Sequence, residues 1–167
     1  LFVTPAYIRC LLETMSDPVV GIARGVANFV DNGLPTHNVG YLPDVNSLQK
    51  VTEFAEDQYR RCAGMVIDDH HLVGDAFMVS RALLESIGGF DPRYFGYFSD
   101  IDFGLRAYGA GFRRVLARGA FAWHVQDANF NYLEDEERKT KLSQRWDRVT
   151  SGWRIFRDVW KLDDLPD

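Results

Sequence analysis

The sequence predicts an α/β fold with a mixed sheet, closed by a C-terminal amphipathic helix. Three observations predict it. Short β-branched runs alternate with segments whose apolar residues recur at helical spacing. Cap-forming residues stand where helices begin, and glycines stand where they end. Near the C-terminus, Leu142, Trp146, Val149, Trp153, Phe156 and Trp160 follow one another at intervals of 4, 3, 4, 3 and 4, a heptad seam on one helix face. The 167 residues suit a single domain, which at this size buries roughly 70% of its unfolded surface without needing staples.

The elements follow in order. Thr4 caps a helix with Pro5 in its first turn, where a missing N–H costs nothing, and Ile8, Leu11, Leu12 and Met15 mark its apolar face. Residues 19–25, "VVGIARG", read as a strand. Residues 31–46 form a long polar loop, of a length that is usually functional or mobile. Asn46 caps the next helix, whose stripe is Leu48, Val51, Ala55 and Gln58/Tyr59. "CAGMVIDD" and "HLVGDAFMVS" read as two strands around the polar cluster Asp68, Asp69, His70 and His71. Ser80 caps a short helix that Gly88 and Gly89 end. An aromatic loop then leads into a helix at "SDIDFGLRAYGAG". "FRRVLARGAFAWHV" reads as two short strands with a turn near Gly119, and the tail helix closes the chain.

Composition removes several function classes. A net charge of -5 argues against non-specific nucleic-acid binding, although Arg106, Arg113, Arg114 and Arg118 cluster enough to serve a phosphate. No apolar run reaches the roughly 18 residues of a membrane helix, and no signal peptide is visible. Two cysteines, Cys10 and Cys62, sit in periodic apolar segments and read as buried free thiols, which suits a reducing, cytoplasmic setting. The tail seam either packs on its own domain or joins two copies.

The residues with chemical capacity concentrate at 95–124. Ser99 with Asp102 three residues on resembles a capping box, and acids in a first turn complement the helix dipole. Asp100 is open to two readings, a helix cap or a base for a bound alcohol. His124, after Ala122 and Trp123, is either a packed residue or a metal ligand. Asp68, Asp69, His70 and His71 have ligand chemistry, but neighbours on a strand face opposite sides, so all four cannot share one ion. "GAGF" at 109–112 lacks the third glycine of a nucleotide fingerprint and follows a helix.

Residues 74–125, "GDAFMVSRALLESIGGFDPRYFGYFSDIDFGLRAYGAGFRRVLARGAFAWHV", closely resemble the second half of family 2 glycosyltransferases of the GT-A fold. The features that carry the likeness, in order, are Arg81, Gly88-Gly89-Phe90-Asp91, Phe95 to Phe98, Asp100 and Asp102, Leu105-Arg106, Gly111-Phe112 and Trp123-His124. One departure is Ser99, where the family often has Glu. The resemblance implies a partial GT-A α/β/α sandwich at 1–132, with a helical tail at 133–167 packed on it. In the family an Asp-x-Asp that binds metal and donor diphosphate lies just upstream of a segment like residues 1–25. The expectation is therefore an acceptor-side part, inactive alone, of a longer cytoplasmic enzyme that builds cell-surface polysaccharide.

The resemblance also assigns roles. The family moves a sugar from a nucleotide-sugar donor to a carbohydrate-type acceptor hydroxyl, commonly with inversion, which needs a base on the acceptor side. Asp100 matches that base. Asp102, Asp75, Tyr97, Phe98 and Arg106 form the expected substrate-contact set, and the aromatics include a stacking wall for sugar. Arg106 also stands at i+4 from Asp102, where an ion pair within the helix is its plainer role. His124 matches a position that helps hold a divalent metal, Mn or Mg, in some members. Peripheral membrane association and self-association complete the expectations. The alternatives are a non-catalytic acceptor-binding or assembly module, with the tail as its partner surface, and a metal-dependent hydrolase built on Asp68, Asp69, His70 and His71.

Overall fold

The fold is organised around two neighbouring strands that differ in what they tolerate. The structure, a computed structural model, describes residues 1–30, 34–39, 45, 47–71, 74–125 and 133–163. Its elements are β1 (Phe2–Val3), α1 (Pro5–Thr14), β2 (Val20–Ala27), α2 (Leu48–Cys62), β3 (Val66–Asp68), β4 (Phe77–Val79), α3 (Arg81–Ile87), α4 (Ser99–Gly109), β5 (Arg113–Trp123) and α5 (Asp135–Trp160). β2 and β5 lie parallel at the centre of a mixed sheet. β4 pairs antiparallel with the far edge of β2, while β1 and β3 pair antiparallel with the two ends of β5.

Every residue of β2 is buried, as expected for a central strand covered on both faces. α1 and α2 supply one set of apolar contacts, with Ala6, Val51 and Ala55 against Val26, Leu116 and Phe121. α3 and α4 supply another, with Leu83, Phe103 and Ala107 against Ile22. The helix starts follow local chemistry. The Thr4 hydroxyl accepts from the Tyr7 N–H, and Ser80 accepts from Leu83. Ser47 caps α2 by accepting from Lys50, whereas Asn46, the expected cap, lies outside the described residues. Gly88 ends α3 at φ +72°, a conformation costly for any residue with a Cβ.

β5 corrects the expectation of two strands with a turn near Gly119. It is one strand of 11 residues. The register against β2 jumps from Gly25↔Ala117 to Val26↔Phe121, so residues 118–120 have no counterpart. The chain stays extended because the irregularity is pinned from both sides. Gln58 donates to the Arg118 carbonyl at 2.8 Å, and the Arg118 N–H donates to Met65. Gly25 makes room for it, since a Cβ there would meet the Ala120 carbonyl at 2.2 Å. Cys10 and Cys62 are free thiols. Cys10 is buried, and burial pushes its pKa up to about 11, while Cys62 is only half-buried.

The tail seam divides in two. Its C-terminal half packs on the domain: Trp153 and Phe156 flank the Phe98 ring at 5.8 and 5.5 Å, and Gly152 is buried against the Tyr97 carbonyl and the Phe98 ring. A Cβ at Gly152 would approach the Tyr97 carbonyl to 2.8 Å, so only glycine lets α5 settle this closely. Leu142 and Trp146, on the N-terminal half, remain exposed, Trp146 by 70%. Among the described residues no helix is long and apolar enough to cross a membrane.

Candidate active site

α4 begins in an unusual way. Ser99 is not its cap, as the capping-box reading had it. The cap position is Phe98, whose backbone is left-handed at φ +69°, and no side chain caps the helix. The Ser99 hydroxyl instead donates back to the Gly96 carbonyl at 2.8 Å. A non-glycine residue in this conformation stores strain of order 1 kcal/mol or more, and only surrounding structure holds it there. That structure is the aromatic pair Trp153 and Phe156 on α5.

Asp100 and Asp102, two residues apart, part company. Asp102 is 1% exposed. Arg106 donates to its Oδ2 at 2.8 Å, and the Trp160 indole N–H donates to its Oδ1 at 3.1 Å. Arg106 in turn donates to the carbonyls of Ile87 and Gly89. Both residues were expected to contact substrate. The structure commits them to the i+4 pair and to joining α4, α3 and α5, because a buried carboxylate must find donors from every element around it. Asp100 is half-exposed. Its Oδ2 accepts the Gly74 N–H at 2.6 Å, and a Cβ on Gly74 would crowd it at 3.1 Å. Asp100 therefore reaches away from its own helix to the entry of β4.

Asp75, another residue of the expected substrate-contact set, has protein partners at both oxygens. Arg24 donates to its Oδ2 at 2.8 Å, and the Ala76 N–H donates to its Oδ1 at 2.7 Å. Arg24 lies in the middle of β2 and is 1% exposed. Its guanidinium also approaches the His37 Nδ1 at 3.5 Å, and His37 Nε2 meets the Asp69 Oδ1 at 2.9 Å. With Arg24 donating to Nδ1, the proton sits on Nε2 and is donated to Asp69. This buried chain of Asp75, Arg24, His37 and Asp69 escaped the sequence reading. Its signal was an arginine inside the otherwise apolar run "VGIARGVA", since a buried guanidinium requires carboxylates nearby.

Burial alone would raise the pKa of Asp69, but hydrogen bonds from the His37 ring and the His71 N–H, with the charge of Arg24, hold it below the usual carboxylate range. A depressed folded pKa contributes stability that is present above the unfolded value, about 3.9, and is lost as pH falls through the folded value. Asp69→Asn is therefore expected to flatten the acid side of the stability profile. Urea unfolding at pH 5 and pH 3 should show a smaller drop in the variant than in the wild type.

The aromatic loop splits between core and surface. Tyr94 is buried, and burial pushes its pKa up to about 12. Phe98, expected to meet sugar, packs against α5. Tyr97 is half-buried with the Arg145 guanidinium 5.9 Å from its ring centre, and Phe95 is 78% exposed beneath Arg148 at 5.7 Å. These two rings are the aromatic surface next to Asp100 in the chain.

His124 follows the end of β5. Its backbone N–H donates to Asn28, and its Nδ1 lies 3.1 Å from the Phe29 carbonyl. That contact orients the ring and leaves Nε2 as the atom able to ligate. Among the described residues no three His, Cys, Asp or Glu side chains are grouped to hold a metal ion, so these residues do not by themselves form a site for Mn or Mg. The cluster at 68–71 is not such a site either, since Asp68 pairs with Arg113 and Asp69 with His37.

Registers place these groups at one end of the sheet. Ala27 pairs with Ala122, which sets His124 just beyond the carboxyl ends of the parallel strands β2 and β5. Arg24 pairs antiparallel with Phe77, so Asp75 and Gly74 run toward the same end and bring Asp100 with them. In α/β sheets this is the end at which ligands bind.

A curled mixed sheet flanked by helices defines a mixed α/β domain, with an acid and a histidine as candidate groups at the strand ends. The sequence profile described as glycosyltransferase like family 2 matches residues 2–146, and the chain belongs to that family, with a GT-A-like fold. No curated protein matches the chain, and no solved structure does.

Proposed function

We propose that this domain forms the acceptor side of an inverting glycosyltransferase and that Asp100 is its base. Family membership supports glycosyl transfer, with a nucleotide-sugar donor and an acceptor as substrates. The observation that carries the finer reading is the position of Asp100. It is the half-exposed acid at the ligand end of the sheet, held by a backbone N–H, while Asp75 and Asp102 have both oxygens engaged. One hydrogen bond from Gly74 orients the Asp100 carboxylate and leaves Oδ1 for a hydroxyl. As the acceptor oxygen attacks the anomeric carbon, its proton passes to Asp100, the glycosidic bond forms, and the bond to the nucleoside diphosphate breaks on the opposite side. Phe95 and Tyr97 offer ring faces for the acceptor sugar. His124 would contribute one ligand to a Mn or Mg ion completed by residues outside this set.

The test is a screen of nucleotide-sugars with the full-length protein and Mn²⁺ or Mg²⁺, reading transfer to carbohydrate acceptors and the anomeric configuration of the product. Transfer with inversion is expected. A retained configuration rules out the single-displacement role of Asp100, and no transfer from any donor favours a binding module.

A further inference from the structure

Arg24 stands where an apolar side chain belongs, in a central strand whose every residue is buried. Its guanidinium is held on three sides. Nε donates to the Gly25 carbonyl at 3.2 Å, one terminal nitrogen lies 3.5 Å from His37 Nδ1, and the other donates to Asp75 at 2.8 Å. Tyr7 on α1 is buried against the same strand. Its hydroxyl accepts from the Gly25 N–H at 3.1 Å and donates to the Ala76 carbonyl at 2.6 Å. Burial raises the Tyr7 pKa, so the hydroxyl stays protonated and remains a donor. A guanidinium and a phenol are costly to place in an interior, and the transfer step as described uses neither.

What the two side chains hold in common is the stretch of chain beside Asp100. Register sets Arg24 opposite Phe77, and Asp75 stands two residues earlier, a diagonal neighbour within reach of a long side chain. Gly74, Asp75 and Ala76 are each tied to a different element. The Gly74 N–H meets Asp100 on α4, the Asp75 carboxylate meets Arg24 on β2, and the Ala76 carbonyl meets Tyr7 on α1. Two of these ties come from the interior, from side chains of residues 1% and 3% exposed. The third is the half-exposed carboxylate of Asp100. Glycine has the freest backbone of any residue, so the aim of the Gly74 N–H depends on how firmly Asp75 and Ala76 are fixed.

We propose that Arg24 and Tyr7 are positioning residues for sugar transfer: by clamping Asp75 and Ala76 they aim the Gly74 N–H at Asp100 and so fix the carboxylate that takes the acceptor's proton. This rests on Asp100 being the base. Asp75 then has a part in the reaction without touching substrate, because it passes the hold of Arg24 on to Gly74. An arginine suits that task, since its rigid planar fork makes several bonds at once and a lysine ammonium does not. The precision matters because a misplacement of about 1 Å at the reacting groups costs on the order of a hundredfold in rate.

The experiment compares full-length wild type with Arg24→Lys, Asp75→Asn and Tyr7→Phe, each alone and combined with Asp100→Asn. It reads kcat and KM for transfer, and the Gly74 amide resonance in glycine-labelled protein. With Asp100 present, Arg24→Lys is expected to lower kcat about tenfold or more while KM stays within about twofold. The Gly74 amide proton is expected to move upfield as its bond to Asp100 weakens. Combined with Asp100→Asn, the same change is expected to lower kcat by less than about twofold, because a residue acting through the base has no proton transfer left to assist. A merely structural role lowers kcat equally in both backgrounds, and that result overturns the proposal. So does a Gly74 resonance that stays in place in Arg24→Lys. If Arg24→Lys does not fold, Tyr7→Phe and Asp75→Asn loosen the same clamp from other positions, and the same two outcomes decide. Full transfer by Asp100→Asn alone overturns instead the reading of Asp100 as the base, and a Gly74 resonance that still moves in Arg24→Lys then marks the clamp as part of the fold only.

Discussion

Asp100→Asn in the full-length protein is expected to lower the rate of sugar transfer about a hundredfold or more while leaving Tm close to that of the wild type. The two halves of the expectation have different sources. A general base contributes roughly 10²–10⁴ in rate, and an amide cannot take the acceptor's proton. Yet Asn retains a carbonyl oxygen for the Gly74 N–H, the bond that Asp100 accepts at 2.6 Å, so the junction of α4 with β4 survives. Steady-state kinetics beside a thermal melt check both. Undiminished transfer in Asp100→Asn would reduce Asp100 to a latch between two elements. A large fall in Tm would mean that its charge serves the fold.

Asp102→Asn is expected to do the reverse and destabilise the domain by about 3 kcal/mol, the lower end of the range for breaking one partner out of a buried ion pair. The lower end applies because the Arg106 side chain is still 25% exposed and keeps the carbonyls of Ile87 and Gly89. For a chain of this size the corresponding fall in Tm is roughly 6–12 °C. Replacing both members, Asp102→Leu with Arg106→Leu, is expected to recover much of the loss, because no charge is then stranded. Equilibrium urea unfolding of the single and double variants measures the coupling. Single and double losses that simply add would show that the pair contributes nothing to the fold.

What the sequence revealed was largely what neighbours along the chain decide. Thr4 with Pro5, Ser80 with Gly88, and the Asp102–Arg106 spacing all act within one helical turn, and each appears in the structure as read. The failures share a physical cause. Ser99 looked like a cap until a left-handed Phe98, braced by rings 55 and 58 residues away in the chain, took that position. The extra residues at 118–120 read as a turn because their stabilising partners, Gln58 and Gly25, lie on other elements. Asp75 and Asp102 looked available because Arg24 and Trp160 are 51 and 58 positions distant. The family pattern exposed Asp100 and His124 as candidates, whereas only assembled geometry distinguished a half-exposed acid from two engaged ones.

The bond from Trp160 to Asp102 also bears on how such a chain can be inherited. A division at residue 133 separates body from tail by helix content, but it cuts through a shared hydrogen bond, a tilted ring contact on Phe98 and the glycine seat at Gly152. Exchange of the tail with that of a distant cousin would bring a foreign surface against the acidic helix and leave the carboxylate of Asp102 missing a donor. Recombination at that junction is therefore expected to yield unstable hybrids unless the incoming helix carries its own glycine and indole in register. The last helix and the acidic helix form one packing unit, although the residues of the last helix that make it lie beyond the matched segment.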